Sequence, residues 1–461
     1  MAGGYYSLDA RIELARRAHD SLDVQYYLIQ NDRTGRLFMR SLRDAALRGV
    51  RVRLLVDDLY TAGGDPMFRG LAAFPNVEVR LFNPFCCARQ SIASRYAASL
   101  WDFRRLNHRM HNKLFIADGT FAVVGGRNIA DEYFARSSTS SNFVDMDVLV
   151  IGPVVSQLEA IFDTYWNSRE VYPAGVILGE SADPDEARKA FNRLVDEGDQ
   201  MMSVRVPPSD MMGLRLIGAD LDSGRLDLAW GKANAFADRP NKVMAASADE
   251  ARAMSAQMNV MDRVAESQWE VVISSPYFVP GNEGVEAFAD LRRRGVKVVI
   301  LTNSLAANDV PVVHLGYARY RVPLLRTGVE LYELAHSGIP AEDVAPVPGI
   351  SMGRLHAKAA VLDQAKVYLG SVNLDPRSDS TNTEVGIFVQ CPELARDVAR
   401  AIDMSRLHSS YRVAFGPDGQ SLQWRLMGEQ PEEVFTSEPD VTPIMEFRNM
   451  LLAPFVPEQL L

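Results

Sequence analysis

HRMHNKLFIADGTFAVVGGRN, residues 108–128, sets His111, Lys113, Asp118, Gly125, Gly126 and Asn128 around two short apolar runs. A second stretch, RLHAKAAVLDQAKVYLGSVN (354–373), carries the same pattern. His111-x-Lys113-x4-Asp118 answers His356-x-Lys358-x4-Asp363. After six further residues, Gly125-Gly126-x-Asn128 answers Gly370-Ser371-x-Asn373. One such string is a strand with a paired lysine. Two, each with the same tail, point to a duplicated unit.

The duplication extends outward from these strings. SLRDAALRGVRVRLLVDDL (41–59) and FADLRRRGVKVVILTNSL (288–305) each read as an amphipathic helix, a glycine stop and an apolar strand. Gly49 and Gly295 are 246 residues apart and the two motif histidines 245. A strand precedes each unit (21–29, 269–280) and another follows (76–85, 328–334). Strand, helix, strand, helix, strand predicts an α/β class, with a parallel sheet covered by helices in each half. The expected division is 1–170, a segment at 171–245 that matches nothing in the repeat, 246–420, and an extension at 421–461. Within the unmatched segment, 180–200 predicts a polar helix and 207–242 irregular chain with turn signals.

HNKLFIAD and HAKAAVLD predict buried strands on which residues i and i+2 share a face. Each histidine then stands beside its lysine, while Asp118 and Asp363 fall on the other face and fix a turn or nearby backbone. Two such faces, related by pseudo-twofold symmetry, surround one space with two histidines, two lysines and two asparagines. That set suits a phosphate diester: cations and amides hold the non-bridging oxygens, one imidazole attacks phosphorus and the other protonates the leaving oxygen. Each imidazole also needs a partner on its second nitrogen. NFVDMDVLVIGP (142–153) and NTEVGIFVQCP (382–392), aligned on Pro153 and Pro392, set Asp145 opposite Glu384 as those partners, with Asp147 as the alternative in the first half.

Composition bounds the rest. The 461 residues, 47% hydrophobic and 23% charged, can bury a sizeable core in more than one domain. A net charge of −10 argues against a nucleic-acid groove. Three cysteines and seven scattered histidines show no metal-ligand spacing, so no metal and no cofactor is expected, and activity should survive a chelator. No apolar run is long enough for a transmembrane helix, and MAGGYYSLDA does not read as a signal peptide.

These paired motifs resemble the signature of the phospholipase D superfamily. Longer strings, among them GVRVRLLVDD, VGGRNIADEYF, ISSPYFVP, LTNSLAANDV and NLDPRSDSTNTEVG, resemble the C-type bacterial cardiolipin synthases within it. The resemblance implies two similar α/β/α domains packed face to face with the active site at their interface. It implies transfer of a phosphatidyl group to phosphatidylglycerol through a phosphohistidine, with phosphatidylethanolamine as the donor. His111 is then the nucleophile and His356 the acid and base, although pseudo-symmetry leaves the reverse open. Lys113, Lys358, Asn128 and Asn373 map onto phosphate-binding positions, with Gly126 and Ser371 beside them. The implied location is the bacterial inner membrane, peripheral, at its cytoplasmic face. A phospholipase D that releases phosphatidic acid, a nuclease and a non-enzymatic scaffold are the alternatives.

Lipid substrates require a membrane approach. The mixed aromatic and arginine stretch 83–110 reads as an interfacial loop or as chain packed on the core, and so does the apolar end 449–461. RRLNHR and DLRRRGVK are basic runs suited to anionic headgroups. His314, Tyr317 and Arg319, just after a repeat strand, are headgroup candidates. His108 is expected to be a neighbour of the site only.

Overall fold

The structure, a computed structural model of the whole chain, describes all residues except 86, 138–141, 198–208, 210–212, 214, 337–351, 429–432, 443–444 and 446–461. Two mixed sheets organise it. The first has seven strands in the order Asp147–Ile151, Phe121–Gly125, Lys113–Ala117, Ser21–Tyr26, Arg51–Asp57, Val77–Phe82, Val171–Pro173. The second repeats the first six of these positions with Val385–Gln390, Lys366–Gly370, Ala359–Leu362, Glu270–Ser274, Lys297–Asn303 and Glu330–Leu334. In each, the three early strands run parallel and the motif hairpin joins them antiparallel. The duplication read from the sequence is therefore a duplication of topology.

Local chemistry explains the elements. Asp32 caps the helix Arg33–Leu47 by accepting from the Gly35 amide. That helix and Gly281–Arg293 both stop at a glycine with positive φ, Gly49 at 100° and Gly295 at 84°, a backbone state open to a residue without Cβ. Strand alternation then separates the cores. In Lys113–Ala117, Phe115 and Ala117 enter an outer core under the N-terminal helices, whereas Leu114 and Ile116 enter a central core. Ala359 and Val361 reach that central core from the other half, and Ala360 and Leu362 face the second outer core. The central core also takes in the helices Pro153–Trp166 and Pro392–His408, so it joins the halves.

The segment 171–245 is woven into both sheets. Val171–Pro173 pairs with Val77–Phe82 at one edge, and Lys232–Ala237 pairs with Val385–Gln390 at the edge of the other. The polar helix forms at Pro184–Asp196. Where irregular chain was expected, Lys232–Ala237 forms a strand, because the exposed edge of Val385–Gln390 offers it a full ladder. Beyond residue 420, Leu422–Leu426 and Val434–Phe435 extend the second sheet. The apolar end 449–461 lies outside the described residues.

Both motif aspartates hold backbone. Asp118 accepts from the amides of His19, Asp20 and Ser21 at 2.8–3.0 Å. Asp363 accepts from those of Gln268, Trp269 and Glu270 at 2.7–3.1 Å. Each carboxylate thereby ties the end of its motif strand to the start of the first strand of the same half. Asp118→Ala or Asp363→Ala should cost about 1–3 kcal/mol of stability through the stranded amides. Urea denaturation of each variant checks this, and an unchanged midpoint would contradict the assignment.

Candidate active site

The motif strands begin at Lys113 and at Ala359, so neither histidine lies within a strand, contrary to the sequence expectation. The backbone before each strand is claimed by the other half. The His111 amide donates to Thr383 O at 2.8 Å, and the Thr383 amide returns a bond to Arg109 O at 2.9 Å. The amides of His356 and Ala357 both donate to Val144 O, at 2.7 and 3.1 Å. Residues 142–144 and 352–355 also pair as a small two-stranded sheet.

The residues that receive these bonds precede the expected carboxylates, and so the rings follow. His111 Nδ1 lies 2.9 and 3.1 Å from the two Glu384 oxygens. His356 Nδ1 lies 2.6 Å from Asp145 Oδ2. Each carboxylate therefore serves the histidine of the opposite half, a crossing that the alignment of the two strings did not reveal. With Nδ1 bonded to a carboxylate, the Nδ1–H tautomer is favoured and Nε2 is left for chemistry. Tyr27 stands edge-on to His111 at 5.1 Å and Tyr133 edge-on to His356 at 5.0 Å, which limits rotation of both rings. Asp147, the alternative carboxylate, is committed elsewhere, to Ser7 and Arg11 of the N-terminal helix.

The lysines are buried beside the rings. Lys113 Nζ donates to His111 O and Lys358 Nζ to His356 O, each at 2.6 Å, which leaves two protons on each ammonium for a ligand. Burial pushes the Lys113 ammonium well below its usual pKa, and Lys358 adds to the effect. Burial pushes Lys358 down to about 8. His111 is pushed down to about 4 by burial, with Glu384 opposing and Lys113 adding. His356 is lowered by burial and by Lys358, with Asp145 opposing. Burial would raise Asp145, but His356 and Lys358 outweigh it and hold the carboxyl at about 2. Two ammonium groups and two carboxylates balance with both rings neutral. The site then accepts one diester anion together with one imidazolium at no net charge.

Asn128 and Asn373 are buried, and the side-chain oxygen of each has no hydrogen-bond partner among the described residues. An amide turned end for end presents N–H there, as a phosphate oxygen requires. Asn128 also donates to the Tyr133 hydroxyl at 3.0 Å. Gly126 and Ser371, expected at the substrate, lie behind the carboxylates instead. A Cβ on Gly126 would come within 2.1 Å of Asp145 Oδ1, so glycine is what lets the carboxylate approach. The Ser371 hydroxyl donates to Glu384 Oε2.

The headgroup candidates are also placed elsewhere. The helix Pro311–Ala318 turns Val313 and Tyr317 into the outer core. Tyr317 donates to Glu333 at 2.9 Å, and His314 Nε2 lies 2.7 Å from an Arg321 nitrogen. Arg321 also binds Glu333 and Glu438. The ligand atoms of His314, Glu333 and Glu438 converge within 4.8 Å, but the Arg321 guanidinium already occupies all three side chains. Arg319 is exposed at the end of that helix.

Several residues went unread in the sequence. Asp57 Oδ2 accepts from the Met110 amide at 2.8 Å, and Asn303 Oδ1 accepts from the Leu355 amide at 2.8 Å. These two residues are 246 apart and each fixes the backbone just before a motif histidine, so the repeat offset alone identifies them. Ser378 donates to Glu384 Oε1 at 2.7 Å. Asp238 accepts from the Glu384 amide at 2.8 Å and donates its own amide to Glu384 O at 2.9 Å. Lys242 joins Asp238 to Ser378 O, at 3.1 and 2.8 Å. No repeat or motif marks Asp238 or Lys242. Asp309, exposed, accepts from the Tyr277 hydroxyl at 2.8 Å, and the Tyr277 ring lies 6.0 Å from Lys358 Nζ.

The crossing makes a specific expectation for nitrogen-15 spectra of the imidazoles. Glu384→Gln should perturb the ring signals and lower the pKa of His111, and Asp145→Asn should do so for His356. The opposite assignment would disprove the crossed pairing.

The model for "Cardiolipin synthase, PLD-like domain" matches residues 12–166 and 260–405. Cardiolipin synthase C of Escherichia coli is 38% identical over 442 residues, 94% of this chain and 90% of that protein. An uncharacterized protein of Helicobacter pylori is 30% identical, over 86% of this chain and 76% of its own. A cardiolipin synthase of Staphylococcus aureus is 24% identical, over 86% of this chain and 65% of its own. Among solved structures, the phosphatidylserine synthase of Haemophilus influenzae superposes with a TM-score of 0.61 at 14% identity, covering 100% of this chain and 94% of that one, a likeness of fold. The duplicated fold, the paired motifs and these relatives agree: the chain belongs to the cardiolipin synthase family of phospholipase D-like proteins.

Proposed function

We propose that this protein is a cardiolipin synthase, which moves a phosphatidyl group onto phosphatidylglycerol through a phosphohistidine. The observation that carries the reading is the crossed pair of histidine–carboxylate contacts beside two buried lysines, in a chain similar to cardiolipin synthase C along 94% of its length.

His111 Nε2 attacks phosphorus, and the bond to the leaving alcohol breaks as His356 gives it a proton. The glycerol hydroxyl of phosphatidylglycerol then loses its proton to His356 and attacks the same phosphorus, which frees His111. Lys113, Lys358, Asn128 and Asn373 hold the non-bridging oxygens as charge gathers on them. The two carboxylates differ in a way that supports this assignment. Glu384 shares its charge with Ser371 and Ser378 as well as the ring, whereas Asp145 Oδ2 meets His356 and its other oxygen, among the described residues, takes the Met146 amide. Asp145 is thus the better partner for an imidazolium, and His356 the better acid.

The donor we propose is phosphatidylethanolamine. The exposed Asp309 carboxylate, hydrogen-bonded to Tyr277 next to Lys358, suits an ammonium on the leaving alcohol. No helix among the described residues is long and apolar enough to cross a membrane. We take the protein to act as a peripheral enzyme on the cytoplasmic face of the inner membrane.

The deciding assay supplies phosphatidylglycerol vesicles with and without phosphatidylethanolamine and reads the products by mass spectrometry. Cardiolipin should form only with both lipids, and His111→Ala or His356→Ala should each reduce it by about 10³-fold or more. Phosphatidic acid without cardiolipin would make water the acceptor and overturn the synthase reading. The pH profile of kcat/KM should be a bell. It falls below about pH 4, where His111 takes up a proton, and on the alkaline side it falls first as His356, lowered by burial, loses the proton it must give, and again by about pH 8, where Lys358 loses one. A flat profile between these limits and beyond them would remove these groups from the reaction.

A further inference from the structure

We propose that one face of the first half, beside the active site, is the surface by which the protein docks on an anionic lipid bilayer; this rests on the reading above that its substrates are membrane lipids. The face surrounds a groove of about 1000 Å³ whose walls come from residues 83–85 and 105, from 164–172, and from 239–244.

Charge is the first argument. Arg169 and Arg239 line the groove, both are exposed, and neither pairs with a carboxylate among the described residues. Arg105 also lines it and is matched by Asp102 at 2.6 Å, while Glu170 is the acidic side chain in the lining. Two free guanidinium groups against one carboxylate give a local positive field on a chain whose net charge is −10. An anionic surface attracts this face and repels the rest of the molecule, so the same field orients the protein.

The apolar rim is the second argument. Trp101 is 77% exposed, Val176 72% and Met244 56%, with Phe103 and Tyr172 nearly half exposed. Tyr172 and Met244 are part of the groove wall, and Val176 lies in the short helix whose Ile177 lines it. Arg104 donates to the carbonyls of Ala245 and Ala246, which brings Trp101 and Phe103 to the Met244 side. Soluble surfaces seldom gather large side chains in this way, and indole, phenol and guanidinium groups together match the polar–apolar boundary of a bilayer. A protein partner or a second copy would explain the apolar rim but gives no reason for unpaired arginines on an acidic chain.

The face also connects to the chemistry. Asn83, at the groove wall, donates to the carbonyls of Arg105 and His108, at 2.9 and 2.7 Å. Arg377 of the second half holds Asn107 at 3.0 and 3.2 Å. The chain that borders the groove at Arg105 therefore reaches His111 six residues later.

The test is sedimentation with vesicles of phosphatidylcholine alone or with about 30 mol % phosphatidylglycerol, an amount sufficient for a negative surface potential. The wild-type protein should bind the anionic vesicles at least about tenfold more tightly and lose that preference at high salt. Trp101→Ser with Phe103→Ser, and separately Arg169→Glu with Arg239→Glu, should each weaken binding by about tenfold or more. Both variants should keep the wild-type melting temperature and the wild-type turnover of a short-chain, monomeric phospholipid pair. That turnover reports on the proposed reaction without a bilayer, and sedimentation reports on docking without turnover, so either reading can fail alone. Binding that ignores lipid charge, or that survives both variants, would overturn the proposal. So would light scattering that finds a dimer dispersed by the same substitutions, since the face would then join two copies.

Discussion

Everything functional in this molecule depends on a reciprocal hold between its halves. Each motif histidine is bonded through its backbone to the residue before a carboxylate of the other half, and through its ring to that carboxylate itself. Two-point attachment fixes both the position of the ring and its direction, which catalysis by proximity requires. A half on its own would carry a histidine and a lysine but no partner for Nδ1. The central core, with residues from both sheets and both long helices, supplies the apolar burial that keeps the halves together.

Burial at this interface sets the electrostatics. Four charged side chains, Lys113, Lys358, Asp145 and Glu384, are nearly inaccessible to water. Such a cluster is tolerable because the signs balance and the carboxylates take their hydrogen bonds from protein groups. The lysines are nonetheless held below their usual basicity by burial, and Lys113 by Lys358 as well. The phosphate anion of the proposed reaction would relieve that stress, so that substrate binding and the charging of the site would favour one another.

The symmetry is not complete, and its breaking has a structural source. Behind Asp145 stands Gly126, which offers room and no donor. Behind Glu384 stand Ser371, Ser378 and the Asp238–Lys242 pair. Burial raises the Asp238 carboxyl to about 7, and Lys242 works against that rise. The Asp238–Lys242 part of this bracing comes from the segment at 232–245, which has no counterpart in the other half. A duplicated scaffold thus acquires two unequal histidines, partly through the exchange of Gly126 for Ser371 between repeats and partly through an element that belongs to neither.

The sequence by itself determined the duplicated α/β plan, the helix stops at Gly49 and Gly295 and the turn-holding aspartates, and it singled out the paired histidines, lysines and asparagines as candidates. All of these are written in local pattern or in the repeat offset, because strand alternation, helix ends and turns depend on near neighbours. The tertiary structure alone decided which carboxylate serves which histidine, since those pairs are 273 and 211 residues apart and form only when two sheets dock. It also moved Gly126 and Ser371 behind the carboxylates and drew His314 and Tyr317 into an ion network around Arg321. Spacing specifies the face of an element on which a residue lies; what stands opposite that face follows from packing between elements remote in the chain.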